Sequence, residues 1–196
     1  MKVLAWSTLL AAFSLTATAG AADQPLGSEW TPLLNGRDLA DWHTQDGKPL
    51  EWFTTRAATA PPGGKRLEAE RAPGGILVNG PKGRTSNLVT DRKFGDVELH
   101  VEFLVPAGSN SGVYLQGLYE IQIKDSFGVA SATVHDCGAV YERWINSKGV
   151  GGAPPARNAC RPAGEWQAFD IWFQAPRFDA SGRKAANAKF LRVVHN

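Results

Sequence analysis

Residues 109–125 read SNSGVYLQGLYEIQIKD, two short runs that meet at Gly117. In each run an apolar side chain alternates with a polar or aromatic one, which is the pattern of a β-strand with one face in a core. The other face combines a carboxylate, amides and an aromatic ring, all of which could bind a ligand or take part in catalysis. These residues are Asn110, Tyr114, Gln116, Glu120 and Gln122.

Such a face suits a carbohydrate ligand. Carboxylates and amides exchange hydrogen bonds with hydroxyl groups, and aromatic rings offer apolar faces on which pyranose rings can stack. The alternative is a plain solvent-exposed face, although such faces usually carry Thr, Lys, Ser and Arg. Composition alone leaves both interpretations open.

The elements that must position this face are strands. Further runs of about five to ten residues are bounded by Gly, Pro, Asn or Asp, as short antiparallel strands are. No window keeps apolar residues at helical spacing for three turns. Short strands at near-regular spacing in one domain predict an all-β sandwich or barrel. The runs are RLEAERAPGGILVNG, NLVTDRKF, DVELHVEFLVP and EWQAFDIWFQAP.

Alternation divides the side chains of these strands into a predicted core and a predicted polar face. If the strands are neighbours, their polar side chains collect on one face of a sheet. The predicted core comprises Val101, Phe103, Val113, Leu115, Ile121, Ile123, Phe169 and Ile171. The predicted polar face comprises Glu98, His100, Glu102, Tyr114, Gln116, Glu120, Gln122, Asp170 and Trp172.

Length and charge narrow the function further. The 196 residues suit one domain with a continuous core. The net charge is +2, and the Lys and Arg residues are scattered along the chain rather than clustered. We therefore expect no nucleic-acid partner.

Residues 1–22 are predicted to be a secretory signal peptide. Lys2 precedes an apolar stretch over 3–15, and the small residues of ATAGAA at 17–22 suit a signal peptidase. The apolar stretch is shorter than the roughly 20 residues that span a bilayer, which argues against a membrane anchor. We expect a bacterial periplasmic or secreted protein whose domain is 23–196, with no stable membrane insertion after cleavage.

Export would place Cys137 and Cys160 in an oxidising compartment, which favours a disulfide between them. The bond would close a Gly- and Pro-rich loop of about 22 residues and add about 3 kcal/mol of stability. The alternative is two buried free thiols. With His135 nearby a zinc site is conceivable, but the spacing matches no zinc motif.

Several motifs in order resemble the DUF1080 family, also described as 3-keto-disaccharide hydrolases, 3-keto-glucoside 1,2-lyases and 2-hydroxy-glucal hydratases. The resemblance runs from about Trp30 to the C-terminus. It implies a concanavalin- or laminin-G-like jelly-roll sandwich of two antiparallel sheets with a concave ligand face. The motifs are LLNGRDLADW, LVTDRKFGDVELHVEF, NSGVYLQGLYEIQIKDS, DCGAVY and RPAGEWQAFDIWF.

The chain ends at KFLRVVHN, where family members usually continue through a hairpin and further strands. The residues before this end look like a strand that runs into a turn. The resemblance therefore leads us to expect that C-terminal strands of the sandwich are missing from 23–196.

The resemblance implies cleavage of 3-keto-glycosides. The C3 carbonyl acidifies the C2 hydrogen because the carbanion is delocalised as an enolate, and an acid can protonate the departing oxygen at C1. Elimination followed by addition of water is a net hydrolysis, and donors near the enolate oxygen would stabilise it. Glu120 is the predicted base and Glu102 the predicted acid. The predicted substrate-binding residues are Asn110, Tyr114, Gln116, Gln122, His135, Arg143 and Trp166.

Two questions stay open at the level of sequence. A divalent metal ion could hold the C2 and C3 oxygens, with Asp125, Glu120 and His135 as candidate ligands, but their spacing matches no known loop. Glu120 could instead be a surface carboxylate paired with Lys or Arg. The alternatives to an enzyme are a non-catalytic carbohydrate-binding module, which needs no convergent carboxylate pair, and a structural domain.

Overall fold

The structure, a computed structural model, describes residues 30–80 and 82–196 in full and, before residue 30, the backbone of two short strands. The described residues form an all-β sandwich of two large antiparallel sheets with two separate hairpins. They contain no helix that is long and apolar enough to cross a membrane.

The strands of each sheet are as follows, in spatial order. The five-stranded sheet consists of β3 (Trp42–Thr44), β6 (Leu88–Thr90), β1 (Lys2–Trp6), β8 (Asn110–Leu115) and β9 (Tyr119–Lys124). The six-stranded sheet consists of β15 (Lys189–His195), β12 (Trp166–Gln174), β7 (Val97–Leu104), β2 (Leu10–Ala12), β5 (Ile76–Val78) and β4 (Phe53–Thr55). The hairpins are β10 (Arg143–Ile145) with β11 (Lys148–Val150), and β13 (Arg177–Phe178) with β14 (Lys184–Ala186).

The main core lies between the two large sheets. It is built by alternation: along β12 every second residue is buried, and the same period holds along β7 as far as Phe103. All eight predicted core residues are buried in this one cluster, none more than 4% exposed. Val113 pairs with Ile121, and Tyr114 with Glu120, so the predicted separation of apolar and polar faces is confirmed.

A second, smaller apolar cluster lies on the other side of the six-stranded sheet. Leu104, Val78 and Phe53 are buried there with Ala58, and the partly buried Trp166 packs against them. Since Trp166 alternates with the buried Gln167 and Phe169 of β12, it points away from the main core.

The predicted signal peptide falls mostly outside the described residues. Within 1–22 the structure describes only the backbone of β1 and β2. β1 pairs with both β6 and β8, and β2 pairs with both β5 and β7. Cleavage of this segment stays a prediction.

His195 ends β15 against the main core. Its ring centroid lies 4.7 Å from that of Phe169 and 5.9 Å from that of Phe103. Its Nε2 lies 3.0 Å from Oε1 of the buried Gln167. Burial, with a smaller effect of the Arg161 charge, lowers the pKa of His195 from 6.5 to about 4.

We predict that Phe103→Ala lowers the free energy of unfolding by about 3–5 kcal/mol, because it leaves a cavity in the core. Phe103 is fully buried, and its ring centroid lies 4.7 Å from that of Phe169. Phe178→Ala is the matched control, since Phe178 is 59% exposed and should lose less than about 0.5 kcal/mol. Urea denaturation measures both. Equal losses would show that the sandwich core is not centred on Phe103.

A second prediction concerns pH. The fold keeps the His195 ring neutral, whereas in the unfolded chain the pKa of this ring returns to 6.5. Between pH 6.5 and about pH 4 the unfolded chain therefore binds a proton more tightly than the folded chain does. The contribution of His195 to stability is therefore present above pH 6.5 and is lost as pH falls through that interval. His195→Phe should reduce the slope of unfolding free energy against pH there, as measured by denaturant titrations. Identical slopes in the two proteins would contradict the burial of a neutral ring.

Candidate active site

The candidate site lies on the face of the β8–β9 hairpin that points away from the main core. The register places Tyr114 opposite Glu120 and Gly112 opposite Gln122. Because Ile121 and the other apolar residues of β9 occupy the opposite face, these four side-chain positions lie together. The predicted grouping of Tyr114, Glu120 and Gln122 on one face is thus what the structure has.

A segment of residues 133–141, here called the cover segment, pairs with the free edge of β9. The backbone N–H of Tyr141 donates to the carbonyl of Glu120 at 2.9 Å, and that of Gln122 donates to Ala139 at 2.9 Å. Gly138 also donates to the carbonyl of Gln122, so two residues of the cover segment oppose one of β9, as in a β-bulge. Gly138 has a φ of 84°, which favours glycine.

Glu120 and Gln122 are buried although they are polar. Their exposed fractions are 8% and 2%. The amide nitrogen of Gln122 donates to the backbone carbonyl of His135 at 3.3 Å. Its Oε1 is buried and has no hydrogen-bond partner among the described residues, which is rare for a buried polar atom.

Two tyrosines surround the Glu120 carboxylate. Burial raises the pKa of Tyr114 most, the negative charge of Glu120 raises it further, and a hydrogen bond to Glu120 adds to both effects. The pKa of Tyr141 is raised by burial, then by the charge of Glu120 and then by that of Glu142. Both phenols are therefore held in the protonated form, as hydrogen-bond donors next to a carboxylate.

Gly112 makes room for this carboxylate. A Cβ atom placed on Gly112 would overlap Oε1, Cδ and Cγ of Glu120. The Glu120 side chain therefore lies across the backbone of β8. This explains why the sequence has glycine in the middle of an otherwise regular strand.

The cover segment is anchored before it reaches Glu120. Oδ2 of Asp136 accepts hydrogen bonds from the backbone and hydroxyl of Thr133, each at 2.8 Å, and Oδ1 accepts from Lys124 and Ser126, each at 3.2 Å. Burial opposes ionisation of Asp136, but these hydrogen bonds and the Lys124 charge lower its pKa to about 2. The ring of His135, in the same turn, packs edge-on against Tyr141 with centroids 5.3 Å apart.

The prediction that Glu102 lies with Glu120 is wrong. Glu102 is on β7 of the six-stranded sheet, exposed, and alternates with the core residues Val101 and Phe103. Glu120 is on β9 of the other sheet. Each points away from the shared core, so the two carboxylates lie on opposite sides of the sandwich. The prediction failed because it assumed that β7 and β9 are neighbours in one sheet.

The other polar residues of β7 and β12 were predicted to lie on the face of Glu120 for the same reason, and they too lie on the six-stranded sheet. His100 and Asp170 pair with each other at 2.6 Å on the outer side of the six-stranded sheet. Trp166 belongs to the small apolar cluster on that side, so it is not a stacking platform for a sugar at Glu120.

The remaining predicted residues lie around or away from the site. Asn110 begins β8 on the face of Tyr114 and is exposed. Arg143 begins the exposed hairpin β10–β11, two residues after Tyr141. Gln116 has left the strand: it sits in the turn with a φ of 53°, and its amide donates to the carbonyl of Phe94 at 3.5 Å.

Asp125 has a local role. Its Oδ2 accepts a hydrogen bond from the backbone of Gly108 at 2.9 Å. Within residues 30–80 and 82–196, no three His, Cys, Asp or Glu side chains are grouped so that they could hold a metal ion. Asp125, Glu120 and His135 therefore do not form the ligand set that the sequence suggested.

A pocket of about 530 Å³ opens at the turn after β8 rather than at Glu120. Its walls include Gln116 and Phe94, and its floor is formed by core residues such as Leu99 and Phe173. Glu120 does not line this pocket.

Sequence reasoning missed Gly112 and Tyr141 as parts of the site. Both lie in motifs that were recognised, NSGVYLQG and DCGAVY. The alternation in β8 could have placed Gly112 opposite a bulky polar residue. No local pattern could have placed Tyr141 beside Glu120, because that pairing crosses from one strand to a loop segment.

The family described as the 3-keto-alpha-glucoside-1,2-lyase-like domain matches residues 29–196. The chain belongs to this family. The resemblance found in the sequence is thereby confirmed.

One solved structure gives a further comparison. A candidate glycosyl hydrolase from Parabacteroides distasonis ATCC 8503 is 26% identical and has a TM-score of 0.56. The match covers 84% of this chain and 60% of that one, so the chain spans less than two thirds of its relative. A comparison with curated proteins gave no match.

We predict that Gly112→Ala displaces the Glu120 side chain and lowers the free energy of unfolding by about 1–3 kcal/mol, the usual effect of overpacking. Gly75→Ala is the control, because a Cβ there would meet nothing within 4 Å, and alanine should leave stability unchanged or slightly higher. Thermal unfolding compares them. If Gly112→Ala were as stable as Gly75→Ala, Glu120 would not lie across β8 as described.

Proposed function

We propose that this domain cleaves the glycosidic bond of 3-keto-glycosides, with Glu120 as the base that removes the C2 proton. The observation that carries the proposal is a buried carboxylate that is hydrogen-bonded to Tyr114 and close enough to Tyr141 for its charge to raise the pKa of that phenol. Membership of the 3-keto-alpha-glucoside-1,2-lyase-like family supports the choice of substrate class.

The proposed reaction is an elimination followed by a hydration. Glu120 takes the proton from C2, and the electron pair of that C–H bond moves into the enolate of the C3 carbonyl. As the enolate collapses, the C1–O bond breaks, and the leaving oxygen takes a proton from an acid. Water then adds across the resulting C1–C2 double bond, which makes the net reaction a hydrolysis.

In this proposal the two tyrosines take the place of Glu102, the carboxylate that the sequence predicted to be the acid. Tyr114 donates a hydrogen bond to Glu120, which keeps the carboxylate oriented toward the ligand face. Tyr141 follows on the neighbouring cover segment, and in this proposal its hydroxyl protonates the leaving oxygen. A neutral phenol with a raised pKa is also a suitable donor to a developing enolate oxygen.

Gln122, Asn110 and His135 would orient the sugar. Asn110 and His135 are exposed at the margin of this face, and the buried Gln122 adjoins Glu120 on it. A sugar that enters from this margin would exchange hydroxyl hydrogen bonds with these groups before its C2 reaches Glu120. Holding the reacting atoms in this way accounts for a large part of most enzymatic rate enhancements.

Export is part of the proposal. Residues 1–22 have the charge, apolar run and small residues of a signal peptide. The enzyme would then act on sugars in a bacterial periplasm or outside the cell. N-terminal sequencing of the protein recovered from the periplasm tests this point.

We predict that Glu120→Gln lowers kcat for 3-keto-α-glucosides by about 10²–10⁴-fold, the usual contribution of a general base. Binding of the substrate should change much less, because the amide keeps the size of the side chain. Glu102→Gln is the matched control, and it should keep full activity because Glu102 lies on the other sheet. Release of the sugar product measures both.

The possible outcomes of this experiment distinguish an enzyme from a carbohydrate-binding module. Unchanged turnover in Glu120→Gln would contradict its role as base. Equal losses in the two variants would point to a site elsewhere. Sugar binding without turnover in the unsubstituted protein would indicate a carbohydrate-binding module instead.

A further inference from the structure

Cys137, which belongs to the cover segment, lies beside Cys160. Both are free thiols in the structure, and each thiol is within hydrogen-bonding reach of the other. Sγ of Cys160 also lies 3.6 Å from the carbonyl of Lys124. The chain thus brings together the two cysteines for which the sequence predicts a disulfide.

Only one of the two thiols faces a pocket. Cys137 is fully buried, whereas Cys160 is 8% exposed and lines a pocket of about 570 Å³. The rest of the wall is formed by residues 127–132 and 155–158. The amide of Asn158 donates to the carbonyls of Ser126 and Val129 at 2.8 and 2.9 Å and so holds the two walls together.

The pocket has features that suit an anionic disulfide. Arg157 is exposed on its wall and brings a positive charge. The hydrogen bond from Cys137 favours the thiolate of Cys160 and lowers its pKa, against the smaller, opposite effect of burial. Burial raises the pKa of Cys137. Cys160 is therefore the better nucleophile, and it is also the more exposed of the two cysteines, at the wall of this pocket.

We propose that Cys160 and Cys137 are a redox pair, in which Cys160 exchanges with a small anionic disulfide in this pocket and Cys137 then closes the intramolecular bond. In the first step the Cys160 thiolate attacks one sulfur of the reagent, and one thiolate leaves. In the second step the Cys137 sulfur attacks Sγ of Cys160, its proton passes to the second leaving thiolate, and that thiol is released. The two cysteines lose two electrons in total, and the reagent gains them.

Closure of this bond would reinforce the cover segment. Cys137 directly precedes Gly138, which donates to the carbonyl of Gln122 at 2.9 Å. A bond to Cys160 would tie this part of the segment to the loop at 155–160. Holding the segment against β9 should favour the buried state of Glu120, and this consequence for activity rests on the proposed function.

Trapping with glutathione disulfide tests the order of the two steps. In the reduced full chain the reagent should yield the internal disulfide without a stable adduct, as read by intact mass. Cys137→Ser should stop at a glutathione adduct on Cys160. Cys160→Ser, the matched variant, should form an adduct at least ten-fold more slowly, because Cys137 is buried behind it.

Three results would overturn the proposal: no adduct on Cys137→Ser, equal adduct formation in the two variants, or no internal disulfide in the unsubstituted protein. Circular dichroism checks that both variants fold. If one does not, brief alkylation of the reduced, unsubstituted protein followed by peptide mapping decides instead, and Cys160 must be modified before Cys137. These readouts do not depend on sugar cleavage, so failure of the proposed enzyme activity would leave them interpretable.

Oxidation should also change the protein as a whole. The oxidised form should unfold at a higher temperature than the reduced form, and the difference should vanish in Cys160→Ser. If cleavage of 3-keto-glycosides is observed, its rate should rise on oxidation. An unchanged rate with a normal disulfide would remove only the link to activity.

Discussion

The site depends on one constraint, the pairing of β9 along both of its edges. On one edge β9 pairs with β8, and on the other Tyr141 and Ala139 of the cover segment bond to its backbone. Because residues of a strand alternate between faces, Ile121 lies in the core, whereas Glu120, also buried, lies on the opposite face of the same strand. A carboxylate that would otherwise be solvated is thereby placed next to phenols.

The opposite side of the sandwich shows how similar polar composition can have a different role. His100 pairs with Asp170 at 2.6 Å, and the guanidinium of Arg192 lies 5.0 Å from the ring centroid of Trp172. These groups pair with one another on a partly solvated sheet face, where such pairs contribute little to the stability of the fold. The site differs from this face in being covered, since burial is what leaves a carboxylate and its donors strongly coupled.

The core and the site are joined at Gly138. On one side it bonds to Gln122 of β9, and on the other a Cβ there would lie 3.4 Å from Nδ1 of His195. Cys137 precedes it and brings the thiol pair into the same region. The backbone around Gly138 is therefore affected by three features. These are the packing of β15 against the core, the position of the cover segment and the state of the thiols.

The sequence by itself determined the strands, their two faces and the family, because period-2 alternation and turn residues are local properties of the chain. It also determined that Tyr114, Glu120 and Gln122 share a face, since all three lie within one hairpin. Which sheet each strand joins was decided only in the tertiary structure. This is why the sequence placed Glu102 of β7 on the wrong side of the sandwich. The pairing of Tyr141 with Glu120 was likewise decided there, because strand neighbours are chosen by the packing of the whole sandwich rather than by any local pattern.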